Sequence, residues 1–485
     1  MKKYNLLKIL GIMFLVSIVL TWLIPVGFDD NGTIQIGLIL PLGLFDIFYI
    51  PLYTIIAYAE YAVVILMIGA LYGVLYKTGA YELLIDKTIK KFKSKSSFLV
   101  FSILLFSVLS SLTGLTFPLL ILVPYFISVI TKMGYSKLTA LASTVGAILV
   151  GMIGTTLGMI QTFYDGELYS FSLFKIMTSS LYDKIGVRVI IFVIAVFLFS
   201  ITVLYNAKNE LKNNKKEIKE KTTKSATKVK TTKVVETKKS HVPILVMLVI
   251  LTMVSIFTMY NWSSMLEFSK FENIYTTLSD ITVGENISVL NILGNTLSSI
   301  GTFGNLQLIA LILLFILFIS IIYSVSFDET IEGMKEGMKA SLKTALYVTL
   351  ANIIMMVITN FSIGYIIITI TKFVAELFDK FNVITTTLFG AVGGLLYNNL
   401  GAFIYDSGIV TQLVAATPLQ YSVFSISLQT TFNILMMILP TSIILIAGLS
   451  YLDIKYTDWL KYIWKFIIQI FIITVMIAQI TYMLF

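Results

Sequence analysis

The strongest constraint in this chain is a pattern of interrupted apolar segments that occurs twice. In the first occurrence an apolar run, about Leu52 to Tyr76, leads into a lysine-rich amphipathic stretch, Tyr81 to Lys93. An apolar segment of roughly 34 residues follows, Phe98 to Thr131, broken at Ser110-Ser111-Leu112-Thr113-Gly114. A run broken at Gly154-Thr155-Thr156 and a plain run from Val187 to Tyr205 complete it. The second occurrence reads Leu342 to Thr359, amphipathic Ile363 to Phe381, then Thr385 to Thr417 broken at Tyr397-Asn398-Asn399. It closes with a run broken at Leu439-Pro440-Thr441-Ser442 and a last run, Leu460 to Met483. A shift of about 284 residues carries Gly114 onto Asn398 and Gly154 onto Ile438, beside Pro440.

Interrupted helices leave backbone groups without partners in hydrocarbon and persist only where protein or a wet cavity covers them. Four such breaks imply a polar cavity near mid-membrane, and paired breaks in two halves point to a secondary transporter and its binding site. The expected fold class is therefore an all-α polytopic membrane protein of two repeats. Composition agrees: 57% of residues are hydrophobic and 13% charged, far from the soluble average. The 485 residues suffice for ten or so spans. The N-terminal run from Leu6 to Ile24 follows Lys2-Lys3 like a signal peptide, but Trp22 and Pro25 stand where a cleavage site would be. It reads as a retained span.

A net charge of +9 raises the question of nucleic acid, and the charge distribution answers it. Asn206 to Ser240 holds 12 Lys and 4 Glu, which supplies +8 of that total. Rich in Thr, Ser and Asn, the 206–240 stretch reads as a disordered cytosolic linker between an N-terminal repeat, 1–205, and a C-terminal repeat, 241–485. The chain has no cysteine and one histidine, His241, so neither a thiolate or histidine metal cluster nor a histidine catalytic dyad is expected within it. No organic cofactor, no nucleic-acid partner and no enzymatic activity are expected.

Lysine clusters set the topology. Lys2-Lys3, Lys87 to Lys95, Lys132/Lys137, the linker, Lys335 to Lys343 and Lys455 to Lys465 should face the cytosol of a cell-membrane protein. Asp29-Asp30, Asp165/Glu167 and Glu267 to Glu285 should lie outside. The 98–131 segment, with lysines at both ends, then becomes a hairpin entering from the cytosol. Its partner, 385–417, enters from outside, so the repeats are inverted and the C-terminus is outside. That count requires 363–381 to lie along the outer surface.

The candidate binding residues are those at the breaks: Ser110, Ser111, Thr113, Gly114, Gly154, Thr155 and Thr156 in the first half. Asn398, Asn399, Gly401, Pro440, Thr441 and Ser442 are their counterparts in the second. Small and hydroxyl residues let a ligand approach free helix ends, whose N–H groups favour a carboxylate and whose carbonyls can hold Na+. The same residue types also pack membrane helices closely. Pro440 removes an N–H and frees a carbonyl, for which the Thr441 and Ser442 hydroxyls are the expected partners. Glu60 and Asp406 are charges within apolar runs and candidates for coupling to Na+ or H+, unless Glu60 lies near the outer headgroups and Asp406 caps a half-helix. Arg188, the single arginine, is expected to be an anchor at a span end rather than a substrate clamp.

Several short motifs add a resemblance. Gly43-Leu44-Phe45-Asp46-Ile47-Phe48, Lys77-Thr78-Gly79-Ala80, Ile331-Glu332-Gly333 and Glu336-Gly337-Met338-Lys339 resemble membrane carriers of the YfcC type. So does the stretch from Pro440-Thr441-Ser442 to Asp458-Trp459-Leu460-Lys461. Such carriers belong with the anaerobic C4-dicarboxylate carriers of the ion transporter superfamily. The resemblance implies two inverted repeats, each with a re-entrant hairpin and a broken transmembrane helix, commonly in a homodimer. It further implies carboxylate or amino-acid substrates moved with Na+ or H+, or by exchange, through elevator-type alternating access. The chain departs from the pattern at Tyr397-Asn398-Asn399-Leu400-Gly401, where a serine run is usual, and at Phe117-Pro118-Leu119-Leu120, where acids are common. Met436 also replaces an asparagine, with Asn433 one turn earlier.

Secondary transport of small organic anions or amino acids is the leading expectation. A cation or proton antiporter and a non-transporting membrane scaffold are the alternatives. No Gly-x-x-x-x-Gly-Lys-Thr loop is present to support an ATP-driven pump.

Overall fold

The computed structural model describes residues 5–30, 33–92, 94–156, 184–222, 240–262, 270–283, 287–294, 296–359, 366–376, 381–397, 400, 403 and 417–484. In chain order the helices of the first half are α1 (Asn5–Leu23), α2 (Asp46–Ala57), α3 (Ala59–Lys77), α4 (Tyr81–Lys91), α5 (Lys95–Thr113), α6 (Phe117–Leu120) and α7 (Val123–Lys132). Then come α8 (Lys137–Leu141), a π-helical turn at Ala142–Gly146, α9 (Ala147–Ile153) and α10 (Ile185–Thr222). The second half contains α11 (Val242–Met259), α12 (Lys270–Asp280), α13 (Val289–Leu293), α14 (Asn305–Ile322), α15 (Phe327–Thr359), α16 (Ile366–Glu376), α17 (Val383–Leu396), α18 (Pro418–Met436), α19 (Ile443–Leu452) and α20 (Tyr456–Leu484). Two short antiparallel ribbons, β1 (Gly27–Asp30) with β2 (Thr33–Ile36) and β3 (Thr282–Val283) with β4 (Ile287–Ser288), lie in connections. Among the described residues eight helices are long and apolar enough to cross a bilayer. A nearly all-helical body follows from the need to satisfy every backbone group within its own segment.

Helices α3 and α15 pack with their backbones in contact. Gly69 and Gly73 of one face Gly333 and Gly337 of the other, so that a Cβ on Gly73 would overlap the Gly333 carbonyl and one on Gly337 the Gly69 carbonyl. Without side chains there, the two backbones touch, as small residues four apart allow in membrane helices. Lys77 and Glu336 close the end of the pair with an ion pair of 2.9 Å. Four of the resembling motifs are explained as scaffold. Gly333 and Gly337 form the seam, and Thr78 with Gly79 (φ 69°) turns α3 into α4. Asp46 accepts the Gly43 N–H at 2.7 Å to start α2.

The 98–131 segment folds back on itself. Its two ends meet where the Lys95 ammonium donates to the Met133 carbonyl at 2.6 Å, and Phe98 stacks on Phe126 at 5.4 Å between ring centres. The turn is set by Gly114 in the left-handed region (φ 68°), whose N–H returns to the Ser110 carbonyl at 2.8 Å. The returning arm is itself split between α6 and α7. There the buried Tyr72 hydroxyl donates to the Ile121 carbonyl at 2.7 Å and accepts from the Tyr125 N–H at 3.2 Å.

The two broken helices run antiparallel. Lys137, at the start of α8, donates to the Leu452 carbonyl at the end of α19 at 2.9 Å, and Gly448 packs on Leu141 and Val145.

Three features differ from expectation. The 52–76 run is two helices, because the chain kinks at Tyr58 after a helix that already contains Pro51. The segment 137–153 carries a π-helical turn whose Ser143 carbonyl accepts from Ser102 at 2.6 Å. The run ending at Tyr205 continues as helix to Thr222, so the beginning of the 206–240 stretch is helix rather than disordered linker. Of 363–381 the described helix is α16, 11 residues or about 16 Å long. Its Ile368 packs under Gly27 of β1.

Candidate substrate site at the broken helices

Helix α5 ends against the end of α9, which brings seven sequence-predicted residues into one cluster. The Ser111 hydroxyl donates to the Gly154 carbonyl at 2.8 Å, and the Thr156 N–H donates to the Ser111 carbonyl at 3.0 Å. Ser111 and Thr156 hydroxyl oxygens lie 3.4 Å apart. Ser110 donates to Ile148, Thr155 to Met152 and Thr113 to Leu109, each to a carbonyl oxygen at 2.6–2.8 Å. These hydroxyl protons are therefore spent on backbone carbonyls. What the cluster still presents is oxygen lone pairs, which suit a cation better than a carboxylate.

At the second break the freed carbonyls find other partners than expected. Met437 accepts the buried Trp459 indole N–H at 2.8 Å, and Ile438 accepts the Tyr456 hydroxyl. Both donors come from α20, whose large side chains reach where the short Thr441 and Ser442 chains do not. Thr441 and Ser442 are buried, with no side-chain hydrogen bond among the described residues. The break between α18 and α19 lies beside the π-helical turn, since the Trp459 ring also packs on Gly146.

Asn398, Asn399, Gly401 and Asp406 lie outside the described residues. Their neighbours Leu400 and Phe403 are buried, with Phe403 4.8 Å from Phe389 and 6.1 Å from Phe432 between ring centres. Glu60 occupies the first turn of α3 and accepts from Asn305, the first residue of α14, at 3.0 Å. Two helix starts meet there, and a carboxylate is favoured at such ends.

Arg188 is the functional candidate that the sequence reading misplaced. It is 3% exposed and turned inward rather than anchored at a membrane surface. Its guanidinium donates from Nη2 to Ser425 Oγ at 2.8 Å and from Nη1 to Gln429 Oε1, while Nε has no partner. No ion pair among the described residues includes it. Burying an unpaired charge is costly. One turn further along α10, Phe192 packs directly on Gly154, where any Cβ would collide with its backbone. Arg188 is thus carried past the first break by a close approach only glycine permits. The signal in the sequence was the pair Ser425 and Gln429, four apart and so on one face of α18.

A cavity of about 280 Å³ lies elsewhere, between α3, α7, α15 and α19, with Ile68, Tyr72, Ala340, Ala447 and Tyr451 in its walls. No predicted site residue lines it.

Among the described residues, eight helices of bilayer length together with two antiparallel broken ones define a multi-pass membrane protein. The family of C4-dicarboxylate anaerobic carriers, DcuC, matches residues 5–483, and the chain belongs to that family. No curated protein matches the chain. Among solved structures, the YdaH transporter of Alcanivorax borkumensis is similar at 13% identity over 98% of each chain, with a TM-score of 0.40. That likeness is too slight to inform fold or activity.

Proposed function

We propose that the protein is a secondary active carrier of C4-dicarboxylates in the cell membrane. The observation that carries this reading is the family match along nearly the whole chain, residues 5–483. The paired broken helices support it, because each brings interrupted backbone and buried hydroxyls together inside the protein, where a dehydrated ion can be held. In this reading 1–205 and 241–485 are inverted repeats, with hairpins at 98–131 and 385–417 entering from opposite sides. The basic 206–240 segment and the N-terminus face the cytosol, the C-terminus faces outside, and two chains form a homodimer. The glycine seam of α3 and α15 belongs to a fixed scaffold, against which the hairpins and broken helices move as an elevator. Coupling is to Na+ or H+, or transport is by exchange. The lone-pair cluster at Ser111, Gly154 and Thr156 is the proposed cation locus, and Asp406 the proposed protonatable group.

A thermal-shift panel tests the reading, since a ligand that binds only the folded state raises the melting temperature by mass action. Succinate or fumarate should stabilise the purified protein, more so with Na+ if Na+ is the coupling ion. Stabilisation by amino acids and by no dicarboxylate would contradict it.

A further inference from the structure

The substrate site requires something that fixes a carboxylate, and the break hydroxyls of the first half do not provide it, because their protons are committed to backbone carbonyls. Arg188 is the only arginine in the chain. A guanidinium stays charged under physiological conditions and offers five N–H groups in a planar fork that matches two carboxylate oxygens. Two of these groups are used, on neutral acceptors, Ser425 Oγ and Gln429 Oε1. Nε is buried with no partner, and no carboxylate side chain among the described residues pairs with the group. Neutral partners orient a guanidinium without neutralising it. The fork is therefore held, buried and still short of an anion, alongside the Gly154 break.

We propose that Arg188 is the anion-recognising residue of this carrier: it binds one carboxylate of the dicarboxylate, while Ser425 and Gln429 position the fork. The assignment rests on the dicarboxylate reading above. An anchoring or purely packing role predicts different behaviour, because it gives Arg188 no dependence on ligand charge.

The test is calorimetric binding of succinate and of succinamide, its uncharged diamide, to the purified full-length protein. Wild type, Arg188→Lys, Arg188→Gln and Gln429→Glu are compared. Wild type should prefer succinate by about tenfold or more. Arg188→Gln should lose roughly a hundredfold in succinate affinity, and the preference should shrink towards unity, as a residue–ligand cycle requires for a direct contact. Arg188→Lys keeps the charge without the fork and should fall between the two. Gln429→Glu places a permanent carboxylate on the fork. It should raise the melting temperature and yet abolish succinate binding. If Arg188→Gln does not fold, that variant decides the matter alone. An unchanged succinate preference in Arg188→Gln, or wild-type succinate binding in Gln429→Glu, overturns the assignment while leaving the dicarboxylate reading intact. No succinate binding by the wild type overturns both.

Discussion

The indole N–H of Trp459 donates to the carbonyl oxygen of Met437 at 2.8 Å, and this bond joins the last helix to the break in the helix before it. Trp459 is fully buried, and its ring also packs on Gly146 of the π-helical turn. One side chain thus touches the irregular stretches of both broken helices.

Trp459→Phe keeps much of the ring and removes the donor. Leaving the Met437 carbonyl unsatisfied should cost about 1–3 kcal/mol, read as a lower melting temperature in detergent. An unchanged melting temperature would show that the bond contributes nothing to holding the break.

The α3–α15 seam makes a sharper stability prediction. Gly73→Ala forces a methyl group into the Gly333 carbonyl and should destabilise the protein by about 1–3 kcal/mol, as overpacking does. Gly11→Ala is the control, because nothing lies within 4 Å of a Cβ there; its melting temperature should equal or slightly exceed that of wild type. Equal melting temperatures for the two variants would contradict the seam.

Hydrogen-bond accounting divides the break hydroxyls into two groups. Ser111→Ala removes the donor to Gly154 and should lower stability by about 1–3 kcal/mol. Thr441→Val removes a hydroxyl with no protein partner among the described residues. It should leave the melting temperature near wild type yet weaken dicarboxylate uptake about ten- to a hundredfold, if the hydroxyl serves the ligand. Uptake assays paired with melting curves separate the two. A Thr441→Val protein that transports normally would remove Thr441 from the site.

Much of this architecture was legible because apolar runs long enough to span are punctuated by few residue types. Gly114 and Pro440 mark ends that the structure also has, since a left-handed cap and a missing N–H are local effects. The kink at Tyr58 and the π-helical turn at Ala142–Gly146 were not legible, because Tyr58 is no breaker and a lone glycine such as Gly146 is common inside membrane helices. The turn is supported by Ser102 from another helix. Arg188 was misread for a related reason. Hydropathy places a residue along a span but not around it, and its direction is set by Ser425 and Gln429, more than 230 residues away. The hydroxyls at the breaks were rightly seen as polar, but their role depends on which carbonyls are near, and only the folded chain decides that.

Glu60 and Asp406 should separate as coupling groups. Glu60 sits at the start of α3, held by Asn305, and Glu60→Gln can still accept that bond. It should preserve ion-driven accumulation, whereas Asp406→Asn should abolish accumulation and spare exchange. The reverse pattern, measured as uphill uptake against counterflow, would move the coupling role to Glu60.

Dicarboxylate transport is tested by uptake of labelled succinate into proteoliposomes holding the purified protein, with a Na+ or H+ gradient imposed or with succinate loaded inside. A dicarboxylate carrier should show accumulation above equilibrium with at least one gradient, or strong counterflow with internal succinate, and competition by other C4-dicarboxylates. Succinate entry no faster than into empty liposomes under every one of these conditions would contradict it.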